Sequence, residues 1–166
     1  MRHRLLFALV VILTLGILGG LTRSNVSAAA GPKSFAVGGG EQVAAGITKH
    51  FAFSAHSGPN GPSGYAVFSQ EDPTLVFGDF RLQGHVACVS VSGNNASIGV
   101  AIEKGEGTAE GQQGIFIVVT DNGNGSSGVP DSLTNSGYVS AADVTVCPPP
   151  FNATTPITSG NINVQQ

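Results

Sequence analysis

Apolar positions in this chain recur in short runs rich in Val, Ile and Phe, broken by clusters of Gly, Pro, Asn and Ser at intervals of roughly ten to fifteen residues. Past residue 30, no window keeps apolar residues at i, i+3, i+4 and i+7 without a Gly or Pro interrupting it, so no helix is expected. The runs predict strands at Ser34–Val37, Ile47–Ala55, Gly64–Gln70, Thr74–Ser92, Ala96–Glu103, Gly114–Asp121, Gly137–Cys147 and Asn161–Gln165. The longest run is expected to bend into two at Gly78 or Gly84. About eight strands with short connections predict an all-β domain, a single antiparallel β-sandwich or a small β-barrel. Strand order is not written in periodicity, so the two architectures stay open.

Period-two alternation assigns faces. Phe51 and Phe53 share one face of their strand, while His50, Ala52, Ser54 and His56 share the other. Phe80, Leu82, Val86 and Cys88 lie opposite Arg81, Gln83 and His85, which points Cys88 inward. The run "IFIVV" does not alternate and reads as a central strand covered on both sides. "SGNN" (Ser92–Asn95) reads as a hairpin turn. "HSGPNGPSG" (His56–Gly64) joins two neighbouring strands, its prolines stiffening and its glycines bending the connection.

The N-terminus changes the picture of where the protein resides. Met1–Arg4 is basic, Leu5–Leu18 is almost unbroken in its apolar character, and Ala28–Ala30 precedes Gly31-Pro32. This is the pattern of a secretory signal peptide over residues 1–30, cleaved after Ala30 or Ala29. The alternative is a retained membrane anchor, since apolar character runs on to Leu21. With the signal removed, residues 31–166 form a single β domain, secreted and with no membrane association of its own. That domain holds Lys33, Lys49, Arg81 and Lys104 against ten acids, a net charge of −6. Nucleic acid is therefore a poor partner, and an extracellular or cell-envelope partner is expected. In an oxidising compartment Cys88 and Cys147 are expected to form one disulfide.

Candidate chemistry is sparse. His50 and His56 are about 20 Å apart along one strand, too far to share a metal. "DNGNGSSGVPDS" (Asp121–Ser132) offers hard oxygen donors to calcium through Asp121, Asn122, Asn124 and Asp131, although Gly123 and Gly125 stand where an EF-hand needs ligands. No other cofactor is suggested. The chain lacks G-x-S-x-G, and adjacent Glu71 and Asp72 point apart on a strand, so catalytic residues are not assigned. Loops on a rigid β scaffold are where recognition is placed, which makes His56, Asn60 and Tyr65 candidate binding residues.

The motifs "GYAVF", "GHVACVSVSGNNASIG", "VVTDNGNGSSGVPDS" and "TSGNINV" give the chain a further signature. Over most of residues 34–165 it resembles small exported bacterial all-β domains of unknown function. The resemblance implies a compact β domain and carries no catalytic residues. The expectation is an exported, non-catalytic structural or binding module. Two alternatives stand beside it: a small metal-dependent hydrolase using His85 with an acid brought near by folding, and a small barrel carrying an apolar ligand among Phe51, Phe53, Phe68, Phe77, Phe80 and Phe116.

Overall fold

The computed structural model describes residues 33–74, 76–123 and 128–166; the expected signal segment and Asn124 lie outside them. The strands are β1 (Phe35–Ala44), β2 (Ile47–His56), β3 (Ser63–Glu71), β4 (Phe80–Ser92), β5 (Asn95–Gly107), β6 (Gly114–Thr120), β7 (Ser132–Val139) and β8 (Ser159–Gln165). They form one antiparallel sheet in the order β7-β6-β5-β4-β3-β2-β1-β8. The sheet curls into a half-barrel rather than splitting into the two layers of a sandwich. Strands β1 to β7 are a plain meander, each pairing with the next. Strand β8 crosses to the far edge and pairs with β1, from Phe35↔Gln165 to Glu41↔Ser159.

The concave face holds the core. Phe51, Phe53 and Ala55 of β2, Ala66 and Phe68 of β3, Leu82 and Val86 of β4, and Ile98 and Val100 of β5 pack there with Ile117, Val119, Leu133 and Ile162. Phe51 sits between Phe53 and Phe68, with ring centroids 6.1 and 6.4 Å away.

Four expectations are corrected. Strand β1 does not stop at Val37; it continues through Gly38-Gly39-Gly40 to Ala44. Glycine ordinarily weakens a strand, but here it admits a close neighbour: a Cβ on Gly40 would lie 2.1 Å from the Ser159 carbonyl oxygen. The described residues of Thr74–Asp79 are not strand, and β4 is a single element that begins at Phe80. Asp72 holds the preceding loop in a turn by accepting hydrogen bonds from the amides of Thr74, Phe77 and Gly78 and from the Thr74 hydroxyl. The strand expected over Gly137–Cys147 ends at Val139 and gives way to a 3-10 turn at Asp143–Thr145.

The fourth correction concerns Cys88, which faces outward. Val86 pairs with Val100 and Cys88 with Gly99, so two residues of β4 oppose one step of β5. This β-bulge at Ala87 swaps the faces of the strand that follows it. Val89 and Val91 thereby turn to the core, and Cys88 turns to the convex side. There it bonds to Cys147, with sulfurs 2.08 Å and Cα atoms 5.5 Å apart. The disulfide belongs to a strap, residues 140–158, that leaves β7 and crosses the outside of β4, β5 and β6. Buried Val144 reaches β5 so closely that a Cβ on Gly99 would lie 2.3 Å from its carbonyl oxygen. The strap covers the second face of β6, whose residues are buried on both sides as the "IFIVV" run implied.

Candidate ligand cleft at the open end of the half-barrel

The last part of the strap fills one end of the seam between the two sheet edges. Leu133 N of β7 donates to Thr155 O, Ser132 bridges Pro156, and Thr158 N donates to Glu41 O of β1. Gln42, buried on the inner face of β1, donates from Nε2 to Leu133 O and Thr155 O, each at 2.9 Å. Two carboxylates complete the clasp. Asp131 accepts from Ile162 N of β8 at 2.7 Å through Oδ2 and from Asn122 N at 2.8 Å through Oδ1. Asp121 accepts from Val164 N at 3.0 Å and from Gly123 N at 2.8 Å. Amide N–H groups of the β8 strand that have no neighbouring strand to bond thus find side-chain acceptors, as buried donors must.

The other end of the seam stays open. Between the β1–β2 hairpin and the second half of β7 lies a cleft of about 610 Å³, within the range of small-molecule sites. Ile47, Phe77, Phe80, Ile115 and Tyr138 supply apolar walls, and Gln42, Lys49, Gln70 and Asn135 supply polar groups. Each of these four polar residues occupies an inward phase of its strand: Lys49 continues Phe51 and Phe53, Gln70 continues Ala66 and Phe68, and Asn135 follows Leu133. Lys49 Nζ donates to Asn135 Oδ1 at 2.8 Å, and Gln70 Nε2 donates to Gly78 O at 2.9 Å. Burial pushes the Lys49 ammonium below the ordinary lysine range. Among the described residues lining the cleft, Lys49 is the single charged group.

The turn held by Asp72 forms one lip of this cleft. It presents Phe77, which is 67% exposed and lines the cavity, with exposed Val76 beside it. The Thr74 hydroxyl bond, reinforced by the surrounding amides, holds the Asp72 carboxyl below its usual range.

The residues suggested by the sequence lie elsewhere. Asp121 and Asp131 engage all four carboxylate oxygens with backbone amides, and Asn122 Nδ2 donates to Pro130 O. Among the described residues no group of three or more His, Cys, Asp or Glu side chains is placed to hold a metal. His56 ends β2 and shares a 2.9 Å hydrogen bond with Ser54, while Asn60 sits exposed on the β2–β3 turn closed by Gly61 N donating to Gly58 O. A hollow under that turn, at the opposite end of the barrel from the cleft, is lined by loop residues from Lys33 to Ser63 and by Gln165. At about 700 Å³ it is larger than the cleft, but it is lined by loop and strand-end residues and not by a set of inward-facing strand side chains.

Tyr65 stands apart from that hollow, on the convex face beside His85. His85 Nδ1 lies 3.3 Å from Glu103 Oε1, so folding does bring an acid to His85. Partial desolvation, together with the charge and hydrogen bond of Glu103, holds the Tyr65 phenol above its ordinary range. Both members of the His85–Glu103 pair are at least half exposed and line no enclosed cavity, so water competes for every contact there. Of the phenylalanines proposed as a ligand lining, Phe51, Phe53 and Phe68 are core, Phe116 turns to the convex side near Gly99, and Phe77 and Phe80 reach the cleft.

Sequence reasoning passed over Lys49, Gln42, Gln70 and Asn135. Their signal was available: polar residues on the phase that otherwise carries apolar ones.

Fold and cleft together define an antiparallel β half-barrel whose seam is filled by the strap at one end and opens at the other into a cleft that carries polar side chains. No protein-family model matches this chain, and neither a curated protein nor a solved structure matches it.

Proposed function

We propose that this chain is an exported, non-catalytic binding module that takes a small molecule in the open mouth of its half-barrel. The observation that carries this reading is the cleft of about 610 Å³, where apolar walls meet a few convergent polar side chains from four different strands. Rigid strands, not loops, present those groups, which favours a preorganised site. The disulfide and the expected signal segment fit a protein that works outside the cytoplasm. Among the described residues no helix is long and apolar enough to cross a membrane.

The test uses a neutral apolar fluorophore, N-phenyl-1-naphthylamine, whose emission rises on leaving water. Wild-type protein is expected to bind it saturably. Ala44→Trp fills the mouth from an exposed position at the end of β1, and is expected to abolish the signal while leaving the unfolding midpoint essentially unchanged. Absence of saturable binding to wild type, or equal binding by the Trp variant, removes the proposal.

A further inference from the structure

We propose that the ligand of this cleft is an amphiphile with one acidic head group, seated with its carboxylate on Lys49 Nζ and its tail along Phe77, Phe80, Ile47 and Ile115. The inference rests on the cleft being a binding site and names the class of molecule it selects.

Three observations support it. The first is an unbalanced charge. The domain has few cations, and each of the ion pairs formed among the described residues lies elsewhere: His50–Glu41, His85–Glu103 and Lys104–Glu106. Lys49 has turned inward and meets a neutral amide, Asn135 Oδ1, while no described residue lining the cleft is an acid. A partly buried ammonium without a counter-ion is an electrostatic debt that an incoming carboxylate settles with a charge-assisted hydrogen bond.

The second observation is donor capacity. An ammonium has three N–H donors and Asn135 takes one, leaving two for a carboxylate. Asn135 fixes the position of the head-group donor before any ligand arrives, which lowers the ordering cost of binding.

The third is the mixed lining. Lys49 and Asn135 share the cleft with the apolar side chains of Ile47, Ile115, Tyr138 and Phe80, and the exposed ring of Phe77 stands on its lip. Five groups on Asp72 and its neighbours fix that lip: four donors meet the Asp72 carboxylate, and Asp79 Oδ1 accepts from Asp72 N at 2.7 Å. An exposed aromatic on a rigid turn beside a cavity offers a flat apolar surface to the part of a ligand that remains outside. A dianion would exceed the single positive charge, and a cation would be repelled by it.

Calorimetric titration with decanoate, decanol and decylamine tests the inference on three tails of equal length. Decanoate is expected to bind wild type at least about tenfold more tightly than decanol, the effect of one charge-assisted hydrogen bond, and decylamine more weakly than either. Lys49→Met is expected to remove the preference for decanoate while leaving decanol affinity within about threefold, and Lys49→Arg to keep the preference. Retained decanol binding also shows that the Met variant is folded. Equal binding of decanoate and decanol to wild type, or a preference that survives Lys49→Met, overturns the head-group assignment and leaves the cleft as a neutral site. If wild type binds neither these ligands nor the neutral fluorophore, the binding reading itself fails.

Discussion

Replacing Asp131 by Ala would test how the two edges of the sheet are held. Asp131 is 4% exposed, and its two oxygens accept the amides of Ile162 and Asn122 at 2.7 and 2.8 Å. Hydrogen bonds to a charged acceptor contribute about 1.5–3 kcal/mol each, and truncation leaves the Ile162 amide buried without a partner. The expected loss is therefore about 3–5 kcal/mol, a large part of a small domain's stability. Asp131→Asn keeps one acceptor oxygen but turns an NH2 group toward the other amide, and should lose about 2–3 kcal/mol. Urea unfolding measures both, with an unchanged slope showing that the same surface is exposed on unfolding. Amide exchange adds a local readout, in which Ile162 loses protection before the central β5 and β6 amides do. Both Asp131 oxygens are met by backbone amides, so the loss is expected to be the same in EDTA and in millimolar calcium. A loss below about 1 kcal/mol for the Ala variant would refute the clasp, given the magnitude that two such bonds carry. A loss that appears only when calcium is present would instead support Asp121–Asp131 as a metal loop.

Two further outcomes follow from the strap and the lip. Replacing Cys88 and Cys147 together by Ala opens a loop spanning a sequence separation of 59, and should cost about 4 kcal/mol on the chain-entropy estimate, read as a lower urea midpoint; a change under about 1 kcal/mol would mean that the strap is held without the bond. The Asp72 carboxyl is held below its usual range, so its contribution is present above the ordinary carboxylate pKa and is lost as pH falls through its lowered folded value. Acid titration of wild type should therefore show a loss of lip protection, at residues 76–78, that Asp72→Asn displays already at neutral pH; identical acid profiles for the two proteins would contradict the assignment.

The strands were legible wherever alternation ran unbroken. "HFAFSAH", "GYAVFSQ" and "GIFIVVT" end within a residue or two of their observed limits, because each buries one or both faces in a continuous ladder. Legibility failed where tertiary contact overrides local preference. The triple glycine of β1 reads as a break, yet is strand because it pairs with β2 on one side and β8 on the other. The outward turn of Cys88 depends on a bulge that adds one residue to β4 without a compositional mark. The acidic loop was read by its donor chemistry, but its carboxylates meet amides of a strand some 30 to 40 residues later in the chain. The cleft was hidden for a different reason. Lys49 sat in the apolar phase of a strand whose faces had been assigned from Phe51 and Phe53, and one polar residue in that phase carries little weight until the opposite edge of the seam is known.

The pairing of β1 with β8 also governs when this domain can form. Every other pairing in the sheet joins strands that follow one another, so those hairpins close over short loops and can assemble as the chain appears. The first strand, in contrast, finds its second partner only after residues 159–165 have emerged, and the Asp121 and Asp131 acceptors wait for the same segment. Until then one edge of β1 is unpaired and the seam is unsealed. Non-local closure of this kind is slow relative to hairpin formation. A last strand that completes the first therefore acts as a timer, deferring the closed sheet until residues 159–165 are available to pair.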